Sequence, residues 1–112
     1  MKGFTDNAFF LLFEQIISEH NPGHKLDRWS GNGVSWERTR HSFASPVYGF
    51  AQDSFVASRP GRNGWSLLVV KEHWWAGRAG AELKSRQWAE PLSGERRHIL
   101  QWFSECKRAL DQ

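Results

Sequence analysis

Apolar side chains recur at helical spacing near the start of the chain. Phe9, Phe10, Phe13, Ile16 and Ile17 fall on one side, and Glu14, Gln15, Ser18 and Glu19 fill the other. Thr5 or Asp6 is placed to cap this helix, and Asn21-Pro22-Gly23 ends it. A loop follows, with a second turn signal at Ser30-Gly31-Asn32-Gly33. From Val34 the period changes to two: Val34, Trp36, Arg38 and Arg40 share one face of a strand, and Ser35, Glu37, Thr39 and His41 share the other.

Beyond Ser45-Pro46, Val47 to Ser58 reads as a second strand with Gly49 as a candidate bulge. Arg59 to Gly64 carries both Pro-Gly and Asn-Gly and predicts a turn into a third strand, Trp65 to Trp75. Its centre, Leu67 to Val70, is continuously apolar, which predicts cover on both sides. Ala76 to Gly80 turns the chain into a fourth strand, Ala81 to Glu90, which Pro91 is expected to stop. Ser93 then serves as N-cap, with Glu95 in the first turn of a last helix. Its stripe is Ile99, Trp102, Phe103, Cys106 and Leu110. The reading is one α+β domain over residues 1–112. It has a four-stranded antiparallel sheet of two hairpins, with the N-terminal and C-terminal helices packed on one face. The second face is left for water or a partner.

Composition changes the picture at one point. Seven Trp and eight Phe stand against nine Leu, five Val and three Ile. Trp is rarely fully buried and its N–H needs an acceptor, so some of the seven are expected on a groove, an interface or a ligand face. Hydrophobic residues make up 39% and the net charge is +3, values that exclude a disordered chain. The charge is uneven: residues 1–56 carry five basic and six acidic side chains, and residues 57–112 carry ten and six. The lone Cys106 forms no intrachain disulfide and no CxxC pair is present, which points to a reducing, cytoplasmic setting. The run Ala8 to Phe13 is too short for a bilayer, so no membrane partner is expected.

Candidate chemistry centres on the second sheet face. Glu82, Lys84, Arg86, Trp88 and Glu90 alternate with Leu83, Ser85, Gln87 and Ala89, and Glu72 and Trp74 alternate with Lys71, His73 and Trp75. With a suitable register Trp36, Arg38 and Arg40 extend that face. The candidate binding set is therefore Trp36, Arg38, Arg40, Trp74, Arg86 and Trp88. Trp among Arg provides stacking surfaces with guanidinium groups for anions, and the same pair of residue types is enriched at protein interfaces. Arg stems lying over Trp on a solvated face are the plainer alternative.

Other chemistry is thin. His20 and His24 have H-x3-H spacing, but Asn21-Pro22-Gly23 breaks the helix that would align them, so no metal is expected. Glu72 and His73 are adjacent on a strand and point to opposite faces. No Walker, G-x-S-x-G or G-x-G-x-x-G sequence occurs, no cofactor is implied, and no catalytic residue is assigned. The basic pairs Arg96-Arg97 and Lys107-Arg108 match no nucleic-acid-binding signature. The leading reading is a non-enzymatic interaction module whose Trp/Arg-rich sheet face forms a homo-oligomer or receives a protein or an aromatic or anionic ligand. Single-strand nucleic-acid binding through the same face is the second reading, and a small-molecule enzyme is the third.

Overall fold

A computed structural model describes residues 7–76 and 83–111. Two helices, α1 (Asn7–His20) and α2 (Arg96–Leu110), flank five strands in the order α1-β1-β2-β3-β4-β5-α2. The strands are β1 (Arg28–Gly31), β2 (Val34–Ala44), β3 (Tyr48–Arg59), β4 (Trp65–Ala76) and β5 (Leu83–Ser93), and they form one antiparallel meander in chain order. The architecture is thus α+β, with five strands where the periodicity predicts four. The additional strand, β1, lies in the stretch read as a loop leading into the turn at Ser30 to Gly33. Asn32 and Gly33 have φ of 54° and 72°, the two positive values of a tight hairpin turn, and β1 folds back on β2 with Trp29 opposite Trp36.

Cross-strand partners share a face, so the register sorts the whole sheet. Trp36, Ala57 and Leu67 form one row; Arg38, Phe55, Val69 and Ala89 form the next. Both helices lie on this side. Phe9, Phe10, Phe13, Ile16 and Ile17 of α1 and Ile99, Trp102, Phe103 and Cys106 of α2 are buried against Val34, Trp36, Phe55, Ala57, Trp65, Leu67 and Val69. Trp102 is the hub. Its ring centroid lies 5.8 Å from that of Trp36, 5.2 Å from Trp65 and 4.8 Å from Phe103, and its indole N–H donates to the Asn32 carbonyl at 3.3 Å. One side chain therefore ties α2 to β2, to β4 and to the first hairpin turn.

The next row marks the limit of the core. Arg38 is 8% exposed and donates from Nε and a terminal nitrogen to the two carboxylate oxygens of Asp53, at 3.4 and 3.0 Å. It also donates to the His24 carbonyl at 2.9 Å, as Arg40 does, so the loop after α1 is fastened to the sheet. Lys71 pairs with Glu14 of α1, and burial pushes its ammonium pKa down. Buried Asn21 closes the same loop, donating to the Leu26 carbonyl at 2.9 Å and accepting from the Leu26 N–H at 3.2 Å.

Three local expectations are corrected. Gly49 is not a bulge: Ala44 opposes Gly49 and Gly49 opposes Trp75 in unbroken register. A Cβ there would lie 1.8 Å from the Trp75 indole, so glycine lets that ring lie across the strand. The shift in register falls instead between Ser66 and Leu67, opposite Leu92 of β5. Pro91 does not stop β5, which runs on to Ser93; an edge strand tolerates a residue without an N–H. Helix α2 starts after Glu95, not Ser93, because Gly94 (φ 80°) makes a sharp exit in which a Cβ would meet the Gly64 carbonyl oxygen at 2.4 Å. Thr5, Asp6, Glu82 and the turn at 77–80 lie outside the described residues.

Truncating the hub tests this layer directly. Trp102→Ala is expected to cost about 3–5 kcal/mol in urea titrations, while Arg97→Ala and Lys107→Ala, on the exposed side of α2, cost under about 0.5 kcal/mol. An unchanged midpoint for Trp102→Ala would mean that α2 is not docked through it.

Candidate functional site

The face turned away from the helices is built from cross-strand rows of four or five residues. Phe43, Phe50, Trp74 and Lys84 form the row at one end. His41, Gln52, Glu72 and Arg86 come next, then Thr39, Ser54, Val70 and Trp88, then Glu37, Val56, Leu68 and Glu90. The last row carries hydroxyls: Ser30, Ser35, Ser58, Ser66 and Ser93, one from each strand, with Ser58 and Ser66 oxygens 3.1 Å apart. No helix lies on this side among the described residues.

The polar centre is organised around Glu72, which is 9% exposed. Its Oε1 accepts from Arg86 Nε at 2.9 Å and from a terminal Arg86 nitrogen at 2.8 Å, and its Oε2 accepts from the Gln52 amide at 3.2 Å. The Arg86 guanidinium also lies over the Trp88 ring, 4.6 Å from its centroid. A cation held by a carboxylate and lying on an indole is a pre-set arrangement, with the side chains of β4 and β5 fixed relative to one another. Val70, the cross-strand partner of Trp88, is 4% exposed although no second layer covers it among the described residues. The continuous apolar run Leu67 to Val70 thus divides, with Leu67 and Val69 under the helices and Val70 shielded by its neighbours on the open face.

Of the six candidate residues, Trp74, Arg86 and Trp88 share this open face. Trp36, Arg38 and Arg40 do not extend it, because the β2–β3 register places them on the helix side. There Trp36 is 2% exposed and stacks with Trp29 at 5.6 Å, Arg38 is bound to Asp53, and Arg40 lies 3.7 Å from the same carboxylate. Phe43 and Tyr48, with ring centroids 6.1 Å apart and exposures of 57% and 42%, belong to the open end of the sheet and had no place in the candidate set. Their cue was the aromatic alternation of Phe43, Tyr48 and Phe50 around Ser45-Pro46.

Elsewhere the molecule offers little reactive chemistry. A groove of about 550 Å³ runs between the outer sides of α1 and α2, lined by Phe9, Leu11, Leu12, Leu100 and Phe103. Among the described residues Lys107 and Asp111 are the only charged side chains lining it. Cys106 is buried in the core, and burial pushes its thiol up to about 11. His20 rests against Gly31, where a Cβ would lie 2.7 Å from its Nδ1. Among the described residues no three His, Cys, Asp or Glu side chains gather to hold a metal, and no helix is long and apolar enough to cross a membrane.

The fold and this face define the class: an α+β protein with a one-sided helix layer on an antiparallel meander. Comparison with family models, curated proteins and solved structures finds no match to the chain.

Two measurements test these assignments. Asp53→Ala is expected to destabilise the protein by about 2 kcal/mol, because buried Arg38 loses its carboxylate and keeps only the His24 carbonyl. A thiol near 11 is about one part in a thousand thiolate at pH 8, so Cys106 should react with a disulfide reagent only on unfolding. Prompt labelling of the native protein would contradict its burial.

Proposed function

We propose that the protein is a non-enzymatic interaction module that self-associates through the open side of its sheet, with Arg86 and Trp88 at the contact. The observation that carries this reading is a face pre-ordered by the Glu72–Arg86–Trp88 arrangement, flanked by Phe50 and Trp74 and left without a covering layer among the described residues. Fixed side chains lose little freedom on association, and Trp with Arg is the combination that anchors interfaces.

Charge favours this over nucleic-acid binding. The open face carries Glu37, Glu72 and Glu90 against Arg28, Lys84 and Arg86 among the described residues, and Arg28 and Arg86 lie against Glu37 and Glu72. A face balanced in this way lacks the excess of cations that phosphate binding uses. The enzyme reading has least support: Glu72 and Asp53 are engaged by arginines, and Cys106 is buried and protonated.

Light scattering over a micromolar concentration series is expected to give a dimer or larger species, with Trp88→Ala shifted towards monomer. Single-stranded oligonucleotides at low salt should leave tryptophan fluorescence unchanged. A monomer at every concentration removes the proposal, and strong quenching replaces it with nucleic-acid binding.

A further inference from the structure

Strand β5 is the longer unpaired edge of the sheet: among the described residues no strand lies beyond its 11 residues, whereas at the other edge β1 covers Val34–Glu37 and leaves Arg38–Ala44 of β2 open. Exposed edges invite pairing with another chain, and proteins commonly block them with charge. The blocking device here has a direction. Along β5 the open-face side chains run Lys84, Arg86, Trp88, Glu90, basic at one end and acidic at the other. A parallel copy would set like charges together. An antiparallel copy sets opposite charges together.

Resting on the self-association proposed above, and moving its contact from the open side to the sheet edge that carries Arg86 and Trp88, we infer that β5 pairs antiparallel with β5 of a second copy about a twofold axis at Gln87. That register places Lys84 opposite Glu90 and Arg86 opposite Trp88, each twice by symmetry. On the helix side it places Ser85 opposite Ala89 and the two Gln87 amides together, with no charge on any of these residues. Shifting the axis to Trp88 would set Arg86, already bound to Glu72, against Glu90 and leave Lys84 against Leu92, so centring on Gln87 is the register that brings the basic and acidic ends of the strand together. Pro91, which has no N–H, falls at the end of the paired segment and bounds it.

A second feature converges on the same axis. Leu11 of α1 is 64% exposed and, with Asn7, Phe10 and Glu14, lines a hollow of about 250 Å³ whose remaining wall is Gln87. A second strand laid along β5 brings another Leu11 to the opposite side of the axis and removes both from water. The product is one continuous ten-stranded sheet, on which the two Trp88–Arg86 pairs become neighbours at its centre.

Charge exchange and cross-linking test the register. Lys84→Glu and Glu90→Lys are each expected to weaken dimerisation about tenfold by opposing like charges at two symmetric places, and the double variant to return near the parent value. Gln87→Cys should cross-link to itself through a short bismaleimide under conditions where the parent, with buried Cys106, does not. A dimer that ignores both charge reversals and fails to cross-link at position 87 overturns edge pairing and leaves association through the open face standing. A protein that stays monomeric overturns both.

Discussion

The docking of one indole decides the rest of the molecule. Two helices have to cover a five-stranded sheet, and α2 is held there by Trp102, wedged among Trp36, Trp65 and Phe103 with its N–H bound to the Asn32 carbonyl. Aromatic rings fill the wide gap between a helix and a sheet with few side chains, and each contact adds to the area removed from water. The hydrogen bond to Asn32 also fixes the direction of α2 relative to the first hairpin. Without this contact α2 would lose its anchor to β2, to β4 and to the first hairpin turn.

The helices cannot reach the whole sheet. Fourteen residues of α1 span about 21 Å, while the twelve residues of β3 or β4 run for roughly 40 Å. The charged row formed by Arg38, Arg40, Asp53, Lys71 and Glu14 lies where the cover stops. Long cationic side chains suit that position, since their stems pack on the core and their heads find carboxylates and a carbonyl at its margin. Beyond it the strands continue into a two-faced arm bearing Trp75 on one side and Phe43, Phe50 and Trp74 on the other.

Much of this was legible in the pattern of residues. Both helical stripes and the four long strands follow from spacing, and the alternation of β4 and β5 places Trp74, Arg86 and Trp88 on one face as read. The face of Trp36, Arg38 and Arg40 was not legible, because it depends on parity in a turn. Ala44 opposes Gly49, so even-numbered residues of β2 share a side with odd-numbered residues of β3, and one residue more or less in that connection would reverse them. Strand β1 was hidden for a different reason: Arg28 to Gly31 is too short to show a period, and Gly31 leads directly into the Asn32-Gly33 turn. Pro91 misled because an edge position, which excuses a missing N–H, is a property of the assembled sheet.

The surplus of tryptophan finds its account in the same imbalance between sheet and helices. Trp36, Trp65 and Trp102 are core, whereas Trp29, Trp74, Trp75 and Trp88 are half-buried. Two of these last four act as local roofing. Trp75 lies across the bare backbone at Gly49, and Trp88 with Arg86 accompanies Val70, which stays nearly inaccessible with no layer above it among the described residues. Wide rings supported by cation stems thus do on the uncovered parts what a third helix would do, and they shield the ladder hydrogen bonds beneath. Such a roof is thinner than a helix and ends at β5, where the last strand has neighbours on one side only. The place where this economy leaves backbone groups and aromatic edges incompletely covered is therefore the edge of β5.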